Sequence, residues 1–208
     1  MNKSAIILAA GKGTRYGGNK QDVLFHNKPL WENVYNTATK VVEPNRVITV
    51  GKDIPGGETR TESVICGLKA LPSDTERVII LEAARPLVTI CQIRELLNAT
   101  HPSVSFVRPL VNTVIYRDGT YLNRNELYDL LTPQAFDYHM LLEAYRKGNN
   151  LDLTDETRIM YEFYGIKPLL LETHNNLFKV TYPGDMSIIE SIYQSLYEER
   201  KQLWEETY

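Results

Sequence analysis

The sequence is poor in the residue types that build metal centres, nucleophile pairs and membrane spans. It has two cysteines, Cys66 and Cys91, in 208 residues, and their separation fits no metal-binding pattern. Both fall in apolar helical patterns and are expected as core thiols of a reducing compartment. The four histidines, His26, His101, His139 and His174, have no ligand spacing and are expected in loops or on helix surfaces. No Ser/His/Asp or Cys/His constellation is evident. No apolar run approaches the ~18 residues of a membrane span. The opening Met1-Asn2-Lys3 leads into an apolar stretch too short for a secretory signal, and that stretch runs directly into glycines. A cytoplasmic protein is the expectation. A net charge of −3 implies no broad basic face, which argues against a nucleic-acid partner. Repeats and low-complexity segments are also absent.

With 43% apolar and 24% charged residues, the chain has the make-up of an ordinary globular protein. Its length suits a single domain that buries ~70% of its unfolded surface without staples. The first informative segment is the apolar run Ala5-Ile6-Ile7-Leu8, a buried strand by its length. It opens into Ala9-Ala10-Gly11-Lys12-Gly13-Thr14-Arg15-Tyr16-Gly17-Gly18-Asn19-Lys20-Gln21. Small residues allow the backbone close to a ligand, and Arg15 and Lys20 supply charge, which together suit a triphosphate. Two familiar phosphate loops are excluded. Gly13 is followed by Thr14 where a P-loop needs lysine, and Tyr16 stands where a dinucleotide fingerprint needs its third glycine.

Further along, residues 29–42 carry Leu30, Val34, Ala38 and Val41 on one helical face, with Pro29 at the favoured first position. Val47-Ile48-Thr49-Val50 reads as a second strand and Val78-Ile79-Ile80-Leu81 as a third, ending at Glu82. Thr59-x-x-Glu62 and Thr89-x-x-Gln92 are capping boxes that open helices. Residues 103–108 form an expected fourth strand. Strand and helix alternate with short links, which predicts an α/β fold: a Rossmann-like, mainly parallel sheet with helices on both faces. In such sheets ligands sit beyond the carboxyl ends of the strands. The glycine loop, Gly56-Gly57 and Glu82-Ala83-Ala84-Arg85-Pro86 all fall on that edge.

After residue 112 the rhythm changes. Asp118-Gly119 between β-forming residues predicts a short β-hairpin arm at about 113–124, too small to stand alone and suited to a second subunit. Thr132 reads as the cap, and Pro133 as the first residue, of a helix running to about Arg146. Residues 167–172 and 178–181 read as late strands, and a last helix starts near Gly184 with Ile189, Ile192, Tyr193 and Leu196 inward.

These segments resemble the cytidylyltransferase family that includes 2-C-methyl-D-erythritol 4-phosphate cytidylyltransferase and ribitol-5-phosphate cytidylyltransferase. The residues that carry the resemblance are Leu8-Ala9-Ala10-Gly11-x-Gly13-x-Arg15 with Lys20-Gln21, and Gly56-Gly57-x-x-Arg60-x-x-Ser63-Val64-x-x-Gly67-Leu68. They continue with Ala83-Ala84-Arg85-Pro86, Arg124, Thr132-Pro133-Gln134-x-Phe136, Thr154-Asp155-Glu156, and Lys179-Val180-Thr181 before Pro183-x-Asp185. The resemblance implies CTP and a small phosphorylated alcohol as substrates, magnesium as cofactor, and a homodimer formed through the arm. It implies a place in the supply of isoprenoid or cell-wall polyol precursors. By the same resemblance, Arg15, Lys20 and Lys179 serve catalysis on the phosphates. Ala9, Ala10, Gly11, Gly13, Gly57 and Ser63 hold the nucleotide. Thr113, Arg124 and Thr132 hold the alcohol phosphate, and Glu82 serves the metal.

Three positions differ from the family pattern. Glu82 stands for an aspartate, Asn112 for the aspartate before Thr113, and Leu177 for an asparagine two residues before Lys179. The arm is also shorter than usual. The chemistry agrees with the roles assigned. Joining two phosphates brings anions together, so cations and a metal are needed, whereas a phosphate oxygen is already deprotonated and needs no general base. The alternative readings are a nucleotide-binding regulator that has lost catalysis, which Glu82 and Asn112 favour, and a sugar-phosphate or molybdopterin nucleotidyltransferase, which the block from Gly56 to Leu68 disfavours.

Overall fold

The computed structural model describes residues 1–148, 155–173 and 177–207, with side chains described to residue 198. Thr154, His174, Asn175 and Asn176 lie outside the described residues. The frame is a six-stranded sheet in the order β4-β1-β5-β7-β6-β8. Its strands are β1 (Lys3–Leu8), β4 (Val47–Val50), β5 (Arg77–Glu82), β6 (Ser103–Pro109), β7 (Tyr128–Asp137) and β8 (Leu169–Glu172). A small pair, β2 (Leu24–Phe25) and β3 (Lys28–Pro29), follows the glycine loop. β1 pairs in parallel with β4 and β5, and β6 with β8, while β7 runs antiparallel between β5 and β6.

Alternating side chains of the strands feed two cores, as the period of two requires. Ala5, Ile7, Ile79 and Leu81 face α1 (Leu30–Ala38) and α3 (Ile90–Asn98), meeting Val34, Ala38, Ile93 and Leu97. Ile6, Val78 and Ile80 face the other way, onto α2 (Arg60–Ala70), α4 (Tyr138–Lys147) and α5 (Glu156–Tyr164). Full burial of side chains such as Ile6 and Ile7 is worth ~1.5–3 kcal/mol each, so the central strands are the most strongly held. α6 (Asp185–Thr207) packs Ile189 with Phe25, Leu30, Leu87 and Val180 in a third, smaller cluster. Both expected capping boxes form at α2 and α3.

Several expectations are corrected. Residues 132–137 are strand, and Asp137, not Thr132, caps the helix that follows, its Oδ1 accepting from the Met140 amide at 2.9 Å. Proline after threonine suits a helix start and a strand irregularity equally, and the neighbouring strands decide between them. Gln134, Ala135 and Phe136 pair with β5 on one side and β6 on the other. Proline offers no amide to a ladder, so the register shifts between Ser105 and Phe106. Ser105 faces Gln134 and Phe106 faces Leu131, with Thr132 and Pro133, joined by a cis peptide, passed over.

Residues 178–181 form no strand. Their chain crosses the loop after β5 with one bond, from the Val180 amide to the Ala84 carbonyl at 2.8 Å. Pro29 lies one position ahead of α1, and that helix stops at Ala38. The cysteines are not core thiols: Cys66 is half-buried and Cys91 exposed. Each sits two residues from a core position, Val64 or Ile93, which is about 200° round a helix. In the arm, a single bridge joins Ile115 to Tyr121, closed by the Gly119 amide on the Tyr116 carbonyl. Among the described residues no helix is long and apolar enough to cross a membrane.

Candidate active site

The parallel strands β4, β1 and β5 end side by side, and the segments that follow them enclose a cleft of about 230 Å³. Ala10, Gly11, Lys20, Gly57, Ser63, Glu82 and Lys179 line it. A larger cavity of about 570 Å³ lies between α1, α3 and α6, and no sequence-predicted site residue lines it.

The glycine loop is coiled on itself. Gly13 has φ +62°, and its carbonyl accepts from the amides of Tyr16 and Gly17 at 2.9 and 3.0 Å. A Cβ there would lie 1.9 Å from the Gly18 carbonyl oxygen, so only glycine fits. Gln21 Nε2 donates to the Gly11 carbonyl at 2.6 Å and ties the end of the loop to its start. Ala9 is buried, and its amide is spent on the Val50 carbonyl at 2.8 Å. Arg15 is exposed and does not line the cleft, and it makes no hydrogen bond or ion pair to described residues, acting on Lys20 through charge alone.

On the opposite wall, the Ser63 hydroxyl accepts from the Gly57 amide at 3.1 Å and donates to the Thr59 carbonyl at 3.0 Å. Serine therefore staples the Gly56–Gly57 turn to the first turn of α2. The same turn is packed so tightly that a Cβ on Gly57 would meet the Glu62 Cβ at 2.2 Å.

The floor is an array of charge. Glu82, the last residue of β5, is paired through one oxygen with Lys179 Nζ, and its Oε1 lies 3.5 Å from Arg60 Nε. Burial alone would raise the Glu82 pKa, but Lys179, then Arg60 and Arg85, outweigh it and hold the carboxyl at about 2. Lys20 donates to the Val180 carbonyl at 2.8 Å. Its pKa is pushed down by burial, then by repulsion from Lys179, with Arg15 adding to that repulsion. A polyanion entering the cleft would relieve that repulsion. Arg60 in turn sends both terminal nitrogens to Glu156, at 2.6 and 2.9 Å, and Tyr145 donates to the same carboxylate at 3.1 Å.

Arg85 is a brace: Nε donates to Thr132 Oγ1 at 2.8 Å and Nη1 to the Leu177 carbonyl. Thr132 is thus held by Arg85 without itself lining the cleft, and Arg85 lies within the field of the pair Arg108–Asp129, joined at 2.9 Å across β6 and β7. Thr113 and Arg124 are exposed on the arm, and Arg124 bonds the Val111 carbonyl. Neither lines the cleft of its own chain. The histidines take no part in it among the described residues.

Residues 4–195 match the family model described as 2-C-methyl-D-erythritol 4-phosphate cytidylyltransferase. The chain belongs to that family. Relatives of that name from Clostridium botulinum (strain Okra / Type B1) and Clostridium novyi (strain NT) are 31% and 33% identical to it. The alignments cover 93% and 92% of this chain and 98% and 96% of the relatives. The crystal structure of 4-diphosphocytidyl-2C-methyl-D-erythritol synthase from Anaerococcus prevotii matches with a TM-score of 0.78 at 25% identity. That match covers 92% of this chain and 98% of the other. The chain is accordingly a CTP-dependent nucleotidyltransferase of the cytidylyltransferase type. In this light, Arg60 and Glu156 are residues to which sequence reasoning gave no role, although both stand inside blocks that carry the family resemblance.

Proposed function

We propose that the chain transfers the cytidylyl group of CTP to 2-C-methyl-D-erythritol 4-phosphate. An oxygen of the acceptor phosphate bonds to the α-phosphorus, the bond from that phosphorus to the β-phosphate breaks, and pyrophosphate leaves. The observation that carries this reading is the convergence of Lys20, Lys179 and Glu82 at the mouth of the glycine loop. Lys20 and Arg15 take the triphosphate and Lys179 the α-phosphate, opposing the charge that builds as the anions meet. Gly11 and Gly13 let the backbone approach the phosphates. The backbone at Ala9, Ala10 and Gly57, with the Ser63 hydroxyl beside it, reads the cytosine, its carbonyls accepting from the amino group. The names of the relatives support this acceptor over ribitol phosphate.

The donor set suits magnesium. No group of three His, Cys, Asp or Glu among the described residues could hold a metal alone. Magnesium asks for less from the protein, one or two carboxylates together with substrate phosphates and waters, and Glu82 is a carboxylate on the cleft floor. When bound, the ion neutralises triphosphate charge. Thr132 holds the acceptor phosphate in its own subunit, and Thr113 and Arg124 complete the acceptor site of the partner in a homodimer. The bare apolar side chains of the arm, Ile115, Tyr116 and Tyr121, and Val111 just ahead of it, each more than half exposed, support such an assembly. We place the protein in the cytoplasm.

The test is pyrophosphate release with CTP, UTP, ATP and GTP against methylerythritol phosphate and ribitol phosphate. CTP with methylerythritol phosphate is expected to lead. Uracil lacks the amino donor, which leaves buried acceptors unpaired at ~1–3 kcal/mol and slows UTP accordingly. Equal rates with UTP, or no release with CTP, would overturn the reading.

A further inference from the structure

Glu156 is fully buried at the start of α5 and lines neither of the two cavities described above, yet it forms an ion pair. Its carboxylate is engaged on both oxygens by the Arg60 fork and on one by Tyr145. Taking both ions out of water costs as much as their attraction returns, so a buried pair is poor support for stability. What such a pair does well is hold one cation in one place, because a two-pronged guanidinium bond fixes direction as well as distance.

The cation held here points its remaining edge at Glu82. We propose that Arg60, locked by Glu156, is the positioning residue that keeps the Glu82 carboxylate aimed into the nucleotide cleft. This rests on the role given to Glu82 above. The two cations in ion-pair contact with Glu82 are not equivalent. Lys179 is a single point charge on a flexible stem, with its side chain 36% exposed, and it is free to swing to a phosphate. Arg60 cannot follow, since its fork is engaged elsewhere. When Lys179 turns to the nucleotide, Arg60 is the contact that remains on Glu82. A glutamate needs that contact more than an aspartate would, having one more rotatable bond to fix. The arrangement links α2, which carries the Gly57–Ser63 turn, to the end of β5 and to α5.

The experiment compares the parent with Arg60→Lys, Arg60→Met and Glu156→Gln. Manganese binding to the protein saturated with α,β-methylene CTP is read by electron paramagnetic resonance. Circular dichroism, kcat and KM for CTP are measured beside it. Removing the partner that orients a metal-binding carboxylate typically costs about 10–100-fold in metal affinity or activity, and a loss in that range is expected for Arg60→Met. Arg60→Lys keeps the charge but cannot span both carboxylates, so it is expected to stay well below the parent. Glu156→Gln frees the fork and falls between them. Arg60 lines the cleft, but both its terminal nitrogens are engaged by Glu156, so a role through Glu82 predicts that in all three kcat falls while KM for CTP stays within about threefold.

Variants that lose only thermal stability, with manganese affinity and kcat at parental values, would overturn the proposal. If Arg60→Met does not fold, the near-isosteric Glu156→Gln decides by the same readings. A parent that binds no manganese with the CTP analogue would instead overturn the role of Glu82.

Discussion

At the scale of single residues, the cleft is shaped by contacts that allow one side chain and no other. Gly13 is the sharpest case. Gly13→Ala places a Cβ on the Gly18 carbonyl and forces a side chain into the left-handed region, a conformation that alone costs about 1–2 kcal/mol. The expected outcome is an intact fold by circular dichroism with CTP affinity reduced about tenfold or more by calorimetry, the loss that such a cost implies. The pair of Glu82 and Lys179 makes a prediction about pH. Glu82 is held near pKa 2 in the folded protein against an ordinary value of 4.5, so it binds fewer protons folded than unfolded. Its contribution is therefore whole above about pH 4.5 and lost as pH falls through about 2. Lys179→Met should lower the melting temperature at pH 6, and the gap to the parent should close towards pH 2 in metal-free buffer. A gap that does not change with pH would show that the lysine stabilises by packing rather than by charge.

Elements of the fold carry function unequally, and two helix caps of similar chemistry make the point. Thr59 caps α2 by accepting from the Glu62 amide at 3.1 Å, and Asp137 caps α4 by accepting from the Met140 amide at 2.9 Å. Replacing either with alanine should cost about 1 kcal/mol, read as a shift of the urea midpoint. Their effects on catalysis should part. The Thr59 carbonyl receives the Ser63 hydroxyl, and the Glu62 side chain holds the amides of Glu58 and Thr59, so the cap and the Gly56–Gly57 turn are one structure. Asp137 sits at the far edge of the sheet, paired with Arg77 at the start of β5, whereas the cleft lies at the Glu82 end of that strand. Thr59→Ala is expected to raise KM for CTP several-fold, whereas Asp137→Ala leaves it unchanged. Parallel changes in KM would mean that the turn does not depend on its cap.

For the molecule as a whole, function turns on how residues of the arm meet the cleft. Arg124 and Thr113 lie outside the cleft of their own chain, on an arm that exposes apolar side chains to solvent. If two chains exchange arms, a mixture of Lys20→Ala and Arg124→Ala proteins rebuilds one sound site in each hybrid dimer. Each variant alone should be nearly inactive. After mixing and equilibration, activity should return to roughly a quarter of the parent, the share that symmetric pairing allows. No recovery would place Arg124 outside the partner's site.

What the sequence determined by itself is whatever a few adjacent residues decide among themselves. The Thr59–Glu62 and Thr89–Gln92 boxes, the apolar strands at Ile6 and Ile80, and the need for glycine at position 13 rest on hydrogen bonds and steric contacts spanning one turn of chain. The late segments were less legible because their local signals are two-sided. Thr132-Pro133 suits a helix start, but β5 and β6 are open on either side of it, and the ladder they offer to Gln134, Ala135 and Phe136 outweighs the local preference. Cys66 and Cys91 followed the apolar pattern in sequence and still fell off the buried stripe, since a rotation of two residues turns a helix side chain outward. The charge array was least legible of all. Arg60 and Glu156 are 96 positions apart, and nothing near either residue names the other. Tertiary structure alone decided that pairing, because a buried charge takes the partner that packing brings within reach, and packing is a property of the assembled sheet and helices.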